Sequence, residues 1–339
     1  MSLSPRFWPL PLRTGKVLKN RVVLAPMASE TADENGYVTS QTLKHYQRLG
    51  MSGVGLAIAE YTFVHPFGKS EPNQLGVYSD SHLEGLVQLV KTIKKGLPDD
   101  PVLLLQLAHS GGKSDSQLTE GNLMGPSGIS VPVKDKVLEA PRPMTEADIE
   151  LWKQSFWDAA RRAQEAGFDG VELHAAHGYG LSQFLSPITN QRQDVYGKDL
   201  LGRARLICEI IQGIRAQFPT LLVSVRMPGQ DFLEGGLTPH DCALLARSFE
   251  EAGADILSIS SGIGGWRRPV ERTGEGYLVD EAGLLKEFVR IPIIGVGGIE
   301  SAEYIDESLL NHKASLFAVG RKILTDPALF RAQVLERKE

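Results

Sequence analysis

Two imidazoles and a phenol stand close together in the run Gly170-Val-Glu-Leu-His174-Ala-Ala-His177-Gly-Tyr179-Gly180. A neutral imidazole both donates and accepts a hydrogen bond, and a phenol with an ordinary pKa of about 10 keeps its proton at neutral pH. His174 and His177 can therefore grip an oxygen while Tyr179 delivers a proton beside it. Two other readings stay open at this point. An H-x-x-H pair can ligate a metal, but a zinc site needs a third protein ligand and no nearby spacing supplies one. The histidines can also be loop residues that cap neighbouring carbonyls.

Further polar residues end other apolar runs: Glu60, Gln106, His109 and Arg226. An unpaired buried charge costs several kcal/mol, so such residues face one another or a bound ligand. Two glycine-bearing turns favour the ligand. Val296-Gly297-Gly298 follows one apolar run, and Gly320-Arg321 follows the next. Glycine lets backbone N–H groups approach an anion, a helix N-terminus adds a favourable field, and a guanidinium grips phosphate through two bonds. The ligand's other end reaches Pro26, Gln106, Arg226 and the histidines. Gln106 offers a donor and an acceptor to an imide edge, and Arg226 can stabilise negative charge on a reduced ring. Those requirements are those of FMN.

The elements that must position these residues alternate strictly. Expected strands are Arg21–Ala25, Val54–Glu60, Val102–Leu107, Val171–Leu173, Leu221–Arg226, Asp255–Ser260, Ile291–Gly295 and Leu316–Gly320. Helices are expected over Ser40–Leu49, Asp80–Lys95, Thr145–Ala166, Leu201–Gln217, Thr238–Ala252 and Asp280–Val289, with another opening at Ser301 and a last one ending the chain. Thr145-x-x-Asp148 is a helix-start signature, as is Ser81-x-x-Glu84, and Thr238-Pro239 places proline at the first helical position. Eight strand–helix pairs predict an α/β (β/α)8 TIM barrel, and the first strand lacks the G-x-G-x-x-G turn of an open dinucleotide-binding sheet. Residues 1–339 are read as one such domain. Met1–Asn20 should form an extended leader and a hairpin that caps the barrel. Gly111–Met144 is a long lid-like excursion after strand three, and Gly262–Gly276 is a second glycine-rich loop carrying Trp266, Arg267 and Arg268.

Composition narrows the class. The chain has 339 residues, 42% hydrophobic, with a formal charge of -5. That mild acidity argues against a nucleic-acid partner. No apolar run approaches the ~18 residues of a membrane span, and no secretory leader pattern opens the chain, so it reads as cytoplasmic. Cys208 and Cys242 cannot hold an iron–sulfur cluster.

With these residues in view the whole chain resembles the old yellow enzymes, FMN-dependent ene-reductases. Asn20-Arg-Val-Val-Leu-Ala25-Pro26-Met27 is similar to the family's first strand, whose end lies against the flavin. Gln106-Leu-Ala-His109 resembles the segment at the pyrimidine edge, and His174, His177 and Tyr179 resemble the carbonyl-binding pair and proton donor. Ser186-Pro187, Asn190, Arg192, Asp194 and Tyr196-Gly197 match the following loop. The resemblance implies a non-covalent FMN held by Ala25, Pro26, Met27, Ala28, Tyr61, Gln106, Arg226, Gly297, Gly298, Gly320 and Arg321. It implies NADPH or NADH as reductant, and a ping-pong reduction of an enone or enal whose oxygen is held by His174 and His177 and whose α-carbon is protonated by Tyr179. The sequence departs from the family at Ala28, where relatives place Cys or Thr, at Glu30, where one class has a substrate-binding Tyr, and at Lys198, where a second glycine is usual. No tail arginine for a neighbouring subunit is recognisable after Phe330, which leaves a homo-oligomer open. Alternatives are a flavin-binding module without turnover and a reductase of dienoyl thioesters.

Overall fold

The computed structural model describes residues 3–97, 101–134, 137–266 and 268–336. Arg267 of the second glycine-rich loop lies outside the described residues. Eight strands close a parallel barrel: β1 (Val22–Leu24), β2 (Leu56–Phe63), β3 (Val102–Ala108), β4 (Gly170–His174), β5 (Leu222–Pro228), β6 (Ile256–Ser260), β7 (Ile293–Gly295) and β8 (Leu316–Val319). Each pairs with its neighbour in sequence, and β8 closes on β1 through Phe317–Val22 and Val319–Leu24. The helices in chain order are α1 (Ser40–Leu49), α2 (Leu83–Gly96), α3 (Glu146–Ala166), α4 (Gly180–Leu185), α5 (Leu200–Gln217), α6 (Pro239–Ala252), α7 (Val279–Lys286), α8 (Ala302–Leu310), α9 (Arg321–Thr325) and α10 (Pro327–Phe330). None of the described helices is long and apolar enough to cross a membrane.

Local chemistry fixes most helix starts. Thr145 with Asp148 and Thr238 with Asp241 form reciprocal capping boxes at α3 and α6. The expected Ser81–Glu84 box does not form. Ser79 caps a 3-10 turn over Asp80–His82 instead, and α2 begins after it. The last helix is divided, because Pro327 cannot continue α9 and Asp326 caps a new turn.

Strand alternation sorts the barrel into layers. Leu103, Leu105, Leu107, Val171, Leu173, Val223 and Val225 face outward into the core shared with the helices. Val102, Leu104, Leu222, Ile256, Ile294 and Leu316 face inward and fill the lower barrel. Leu12 and Leu18, from the hairpin pairing Leu10–Pro11 with Val17–Leu18, pack into the same inner cluster. The hairpin is pinned from outside by Arg13 to Asp255 at 2.6 Å and Lys16 to Asp169 at 2.8 Å. Above the apolar layers, the same inward parity brings up Gln106, Glu172 and Ser224, which lie side by side across β3, β4 and β5, and then His174 beside Arg226.

The excursion after β3 forms a small parallel pair, Met124–Gly125 with Arg142–Pro143. Its Val131 and Leu138 pack with Ile263 of the loop after β6. It therefore buttresses the neighbouring loop, and its described residues do not line the cleft above the barrel.

Candidate active site

A cleft of about 500 Å³ opens at the C-terminal ends of the strands, where barrels of this type place their chemistry. Every residue singled out from the sequence as a catalytic, cofactor or substrate contact lines it. The segment after β1 contributes Ala25, Pro26, Met27, Ala28 and Glu30, β2 contributes Tyr61, and β3 contributes Gln106. His174, His177 and Tyr179 come from β4 and its loop, Arg226 from β5, Gly297 and Gly298 from beyond β7, and Gly320 and Arg321 from beyond β8.

The imidazoles meet edge to face, with ring centroids 5.0 Å apart, and the Tyr179 ring lies 4.8 Å from that of His174. This compact turn is bought with backbone strain: His177 has φ 60° and Gly178 φ 77°. A β-carbon disfavours that left-handed conformation, and non-glycine residues held in it cluster at functional sites. His177 Nε2 lies 2.7 Å from Ser260 Oγ, while His174 Nδ1 is buried without a hydrogen-bond partner. Burial, with the nearby charges of Arg226 and Lys113, holds both imidazoles well below their ordinary pKa, so they are neutral. Burial pushes the Tyr179 phenol above its usual value and keeps it protonated. The Lys113 ammonium sits 4.2 Å over the Tyr179 ring and donates to the His177 carbonyl at 2.7 Å.

Beneath these groups lies a buried polar row. Gln106 Nε2 donates to Glu172 Oε1 at 2.8 Å, and Ser224 Oγ donates to Glu172 Oε2 at 2.9 Å. Glu172 thereby fixes which way the Gln106 amide points and leaves its carbonyl oxygen to a ligand. Burial pushes the Glu172 carboxyl up and the Arg226 guanidinium down, and each charge opposes the shift of the other. Arg226 Nε is buried and unpartnered.

At the far end, Gly297 (φ 127°) and Gly298 (φ 66°) turn sharply, and a β-carbon on Gly298 would meet the Tyr277 ring at 3.2 Å and Arg321 Nη2 at 3.8 Å. The chain here is bare of side chains next to a guanidinium, which is what an anion cradle needs. α9 has only five residues. The helix field expected there is correspondingly short, and the cradle rests on the glycines and Arg321.

Two polar strand-end residues do not join the cleft. Inward parity along β2 runs Leu56, Ile58 and then Glu60, but the register shifts between Ala59 and Thr62. This bulge turns Tyr61 to the cleft and leaves Glu60 buried outside it. There the carboxylate accepts from Ser29 N at 3.0 Å, Ser29 Oγ at 2.6 Å and Tyr46 Oη at 3.3 Å. His109 lies past the end of β3, stacked on Trp152 at 4.0 Å. Conversely, Ser260, Ser261, Trp266, Tyr277, Glu71, Glu300, Lys322 and Leu324 also line the cleft. Of these, Ser260 had a signal in the sequence, a hydroxyl at the end of a strand in a barrel.

Residues 6–337 match the model of the family described as NADH:flavin oxidoreductase / NADH oxidase. The chain is 37% identical over 323 residues to an NADPH dehydrogenase of Geobacillus sp. (strain WCH70), covering 95% of this chain and 91% of that one. It is 36% identical to an NADH oxidase of Thermoanaerobacter brockii, covering 92% of this chain and 48% of that longer one. Among solved structures, a 2-naphthoyl-CoA reductase superposes with a TM-score of 0.88 at 26% identity, over 96% of this chain and 51% of that one. An old yellow enzyme homologue from Zymomonas mobilis superposes at 0.81 with 22% identity, covering 96% and 91%, and shares the fold. A match along nearly the whole length, on a barrel whose cleft carries the expected residues, places this chain in the NADH:flavin oxidoreductase / NADH oxidase family, that of the old yellow enzymes, as an FMN-dependent NAD(P)H oxidoreductase.

Proposed function

We propose that the chain reduces the C=C bond of α,β-unsaturated carbonyl compounds. The observation that carries this reading is the placement of a protonated phenol, Tyr179, 4.8 Å ring to ring from one of two neutral, buried imidazoles in the same cleft. The residues present fit FMN. Arg226 Nε is an orphaned buried donor in need of an acceptor, Gln106 has a carbonyl oxygen to spare, and Gly297, Gly298, Gly320 and Arg321 form a cradle for a phosphate. FMN, when bound, supplies two-electron hydride chemistry with NADPH or NADH as the source.

The chain's own residues do the rest. His174 and His177, as neutral donors, hold the carbonyl oxygen where negative charge develops. A positioned donor of this kind is typically worth ~2.7–4 kcal/mol in the transition state. Tyr179 Oη holds the proton that goes to the α-carbon. Ala25–Ala28 and Tyr61 wall the cleft and exclude water from one face. Glu30, at the rim, borders the incoming substrate. The roles of all these residues rest on this reading.

The test uses flavin-loaded protein without oxygen. Cyclohexenone and cinnamaldehyde should each drive NAD(P)H consumption with formation of the saturated carbonyl. A loaded protein that oxidises NAD(P)H only with oxygen, and leaves every enone and enoyl thioester untouched, would sink the proposal.

A further inference from the structure

Ser260, at the end of β6, is 3% exposed, and its hydroxyl meets two groups. Its Oγ lies 2.7 Å from His177 Nε2 and accepts from Arg226 Nη2 at 3.4 Å. A guanidinium can only donate. The serine oxygen therefore accepts from Arg226 through one lone pair. Its other lone pair can take a ring N–H, but that would leave the buried hydroxyl proton without an acceptor among the described residues, so the proton goes to the ring nitrogen.

We propose that Ser260 is a positioning residue that fixes the tautomer of His177: the hydroxyl donates to Nε2, so the ring carries its proton on Nδ1 and offers that N–H to an oxygen in the cleft. An unconstrained imidazole in water prefers the opposite arrangement, with the proton on Nε2. The serine reverses that preference, and Arg226 gives the hydroxyl its direction. The ring has one proton to place because burial keeps it neutral. The left-handed backbone at His177 and the contact of its ring with His174 hold the imidazole in this orientation.

A fixed donor selects acceptors. The site should take carbonyls and phenolates and discriminate against ligands that present only N–H donors there, because two opposed donors leave one unpaired. This inference deepens the enone reading and rests on it.

The experiment is long-range 1H–15N NMR of flavin-loaded protein with 15N-labelled histidine, with the His177→Gln spectrum assigning the signal. Wild type should show a protonated Nδ1 and an acceptor-type Nε2 at position 177. Ser260→Ala should move the ring towards Nε2–H and weaken p-chlorophenol binding about tenfold, the effect of one lost hydrogen bond. Ser260→Thr, which keeps the hydroxyl, should restore both. A wild-type ring protonated on Nε2, or a Ser260→Ala variant with unchanged tautomer and affinity, would overturn the assignment. If Ser260→Ala does not fold, the wild-type spectrum decides it. Protein that fails to reduce enones but shows Nδ1–H counts against the enone reading, whereas turnover with Nε2–H counts against the tautomer.

Discussion

Tyr179 and Ala28 touch the same cleft with opposite chemical means. Tyr179 keeps a proton that burial makes hard to remove. Its replacement by Phe should slow enone reduction by about 10²–10⁴-fold, the usual worth of a positioned proton donor, and slow flavin reduction by NAD(P)H far less. Stopped-flow traces of the two half-reactions give the comparison, and equal slowing would remove Tyr179 from the role. Ala28 lines the cleft with a methyl group. A hydroxyl there can donate to a ring that gains charge on reduction, an interaction of about 1.5–3 kcal/mol. Since 30 mV corresponds to about 1.4 kcal/mol for a two-electron couple, Ala28→Thr should raise the flavin midpoint by tens of millivolts. A dye-equilibrated titration in which the midpoint holds or falls, with FMN bound, would show that position 28 only packs.

Single elements set these residues in place, and the β2 bulge shows how. Glu60, displaced from the barrel interior, holds the backbone and hydroxyl of Ser29 and so tethers the segment Ala25–Glu30 along the cleft. Glu60→Leu takes the acceptor from the Ser29 N–H and from the protons of the Ser29 and Tyr46 hydroxyls, although Ser29 Oγ keeps Thr31 Oγ1 and Tyr46 Oη still accepts from the backbone N–H at position 60. It should cost about 1–3 kcal/mol in urea denaturation, with weaker FMN binding by fluorescence. Glu60→Gln keeps one oxygen for the Ser29 N–H, while the hydroxyls can turn, so it should cost less than half as much. Equal losses in the two variants would mean that shape, not hydrogen bonding, holds the segment. This element also marks how far the sequence could be read. The caps at Thr145 and Thr238 were legible because their partners lie three residues away. Gln106, Arg226 and His174 were legible because a polar residue that ends an apolar strand must face a partner or a ligand, and the alternation of the strands then turns all three inward. The bulge broke that alternation without a glycine or proline to announce it, so Glu60 read as a strand-end residue facing a partner or a ligand, and Tyr61 entered only through the family resemblance. His109 looked like the next polar residue of β3, but its ring is fixed by Trp152, some forty positions away in the chain. Lys113 over Tyr179 is equally tertiary: no local pattern announces that an excursion will fold back onto its own barrel.

The whole molecule buries imidazoles in numbers that decide its response to acid. Burial is the leading cause that lowers His45, His65, His82, His109, His174 and His177 below their ordinary value. Below about pH 6.5 the unfolded chain binds protons that these folded sites refuse, so stability is lost as pH falls, by up to about 1.4 kcal/mol per unit for each fully buried histidine. Glu60 and Glu172 act in the other sense, since burial raises them and the folded form holds their protons to higher pH. Six groups against two fix the sign: the melting temperature of FMN-saturated protein should fall from pH 7 to pH 5, and a flat or rising profile would contradict the buried neutral state. The ion pairs under the barrel act on a different clock. Arg13 meets Asp255 across 242 positions, and Phe317 of the last strand bonds back to Arg21. On a ribosome, Arg13 and Arg21 must therefore wait until Asp255 and Phe317 have been made before they find these partners. The floor of the barrel closes late, and until it does Leu12, Leu18 and the lower ends of the strands stay open to a chaperone or to a neighbouring nascent chain.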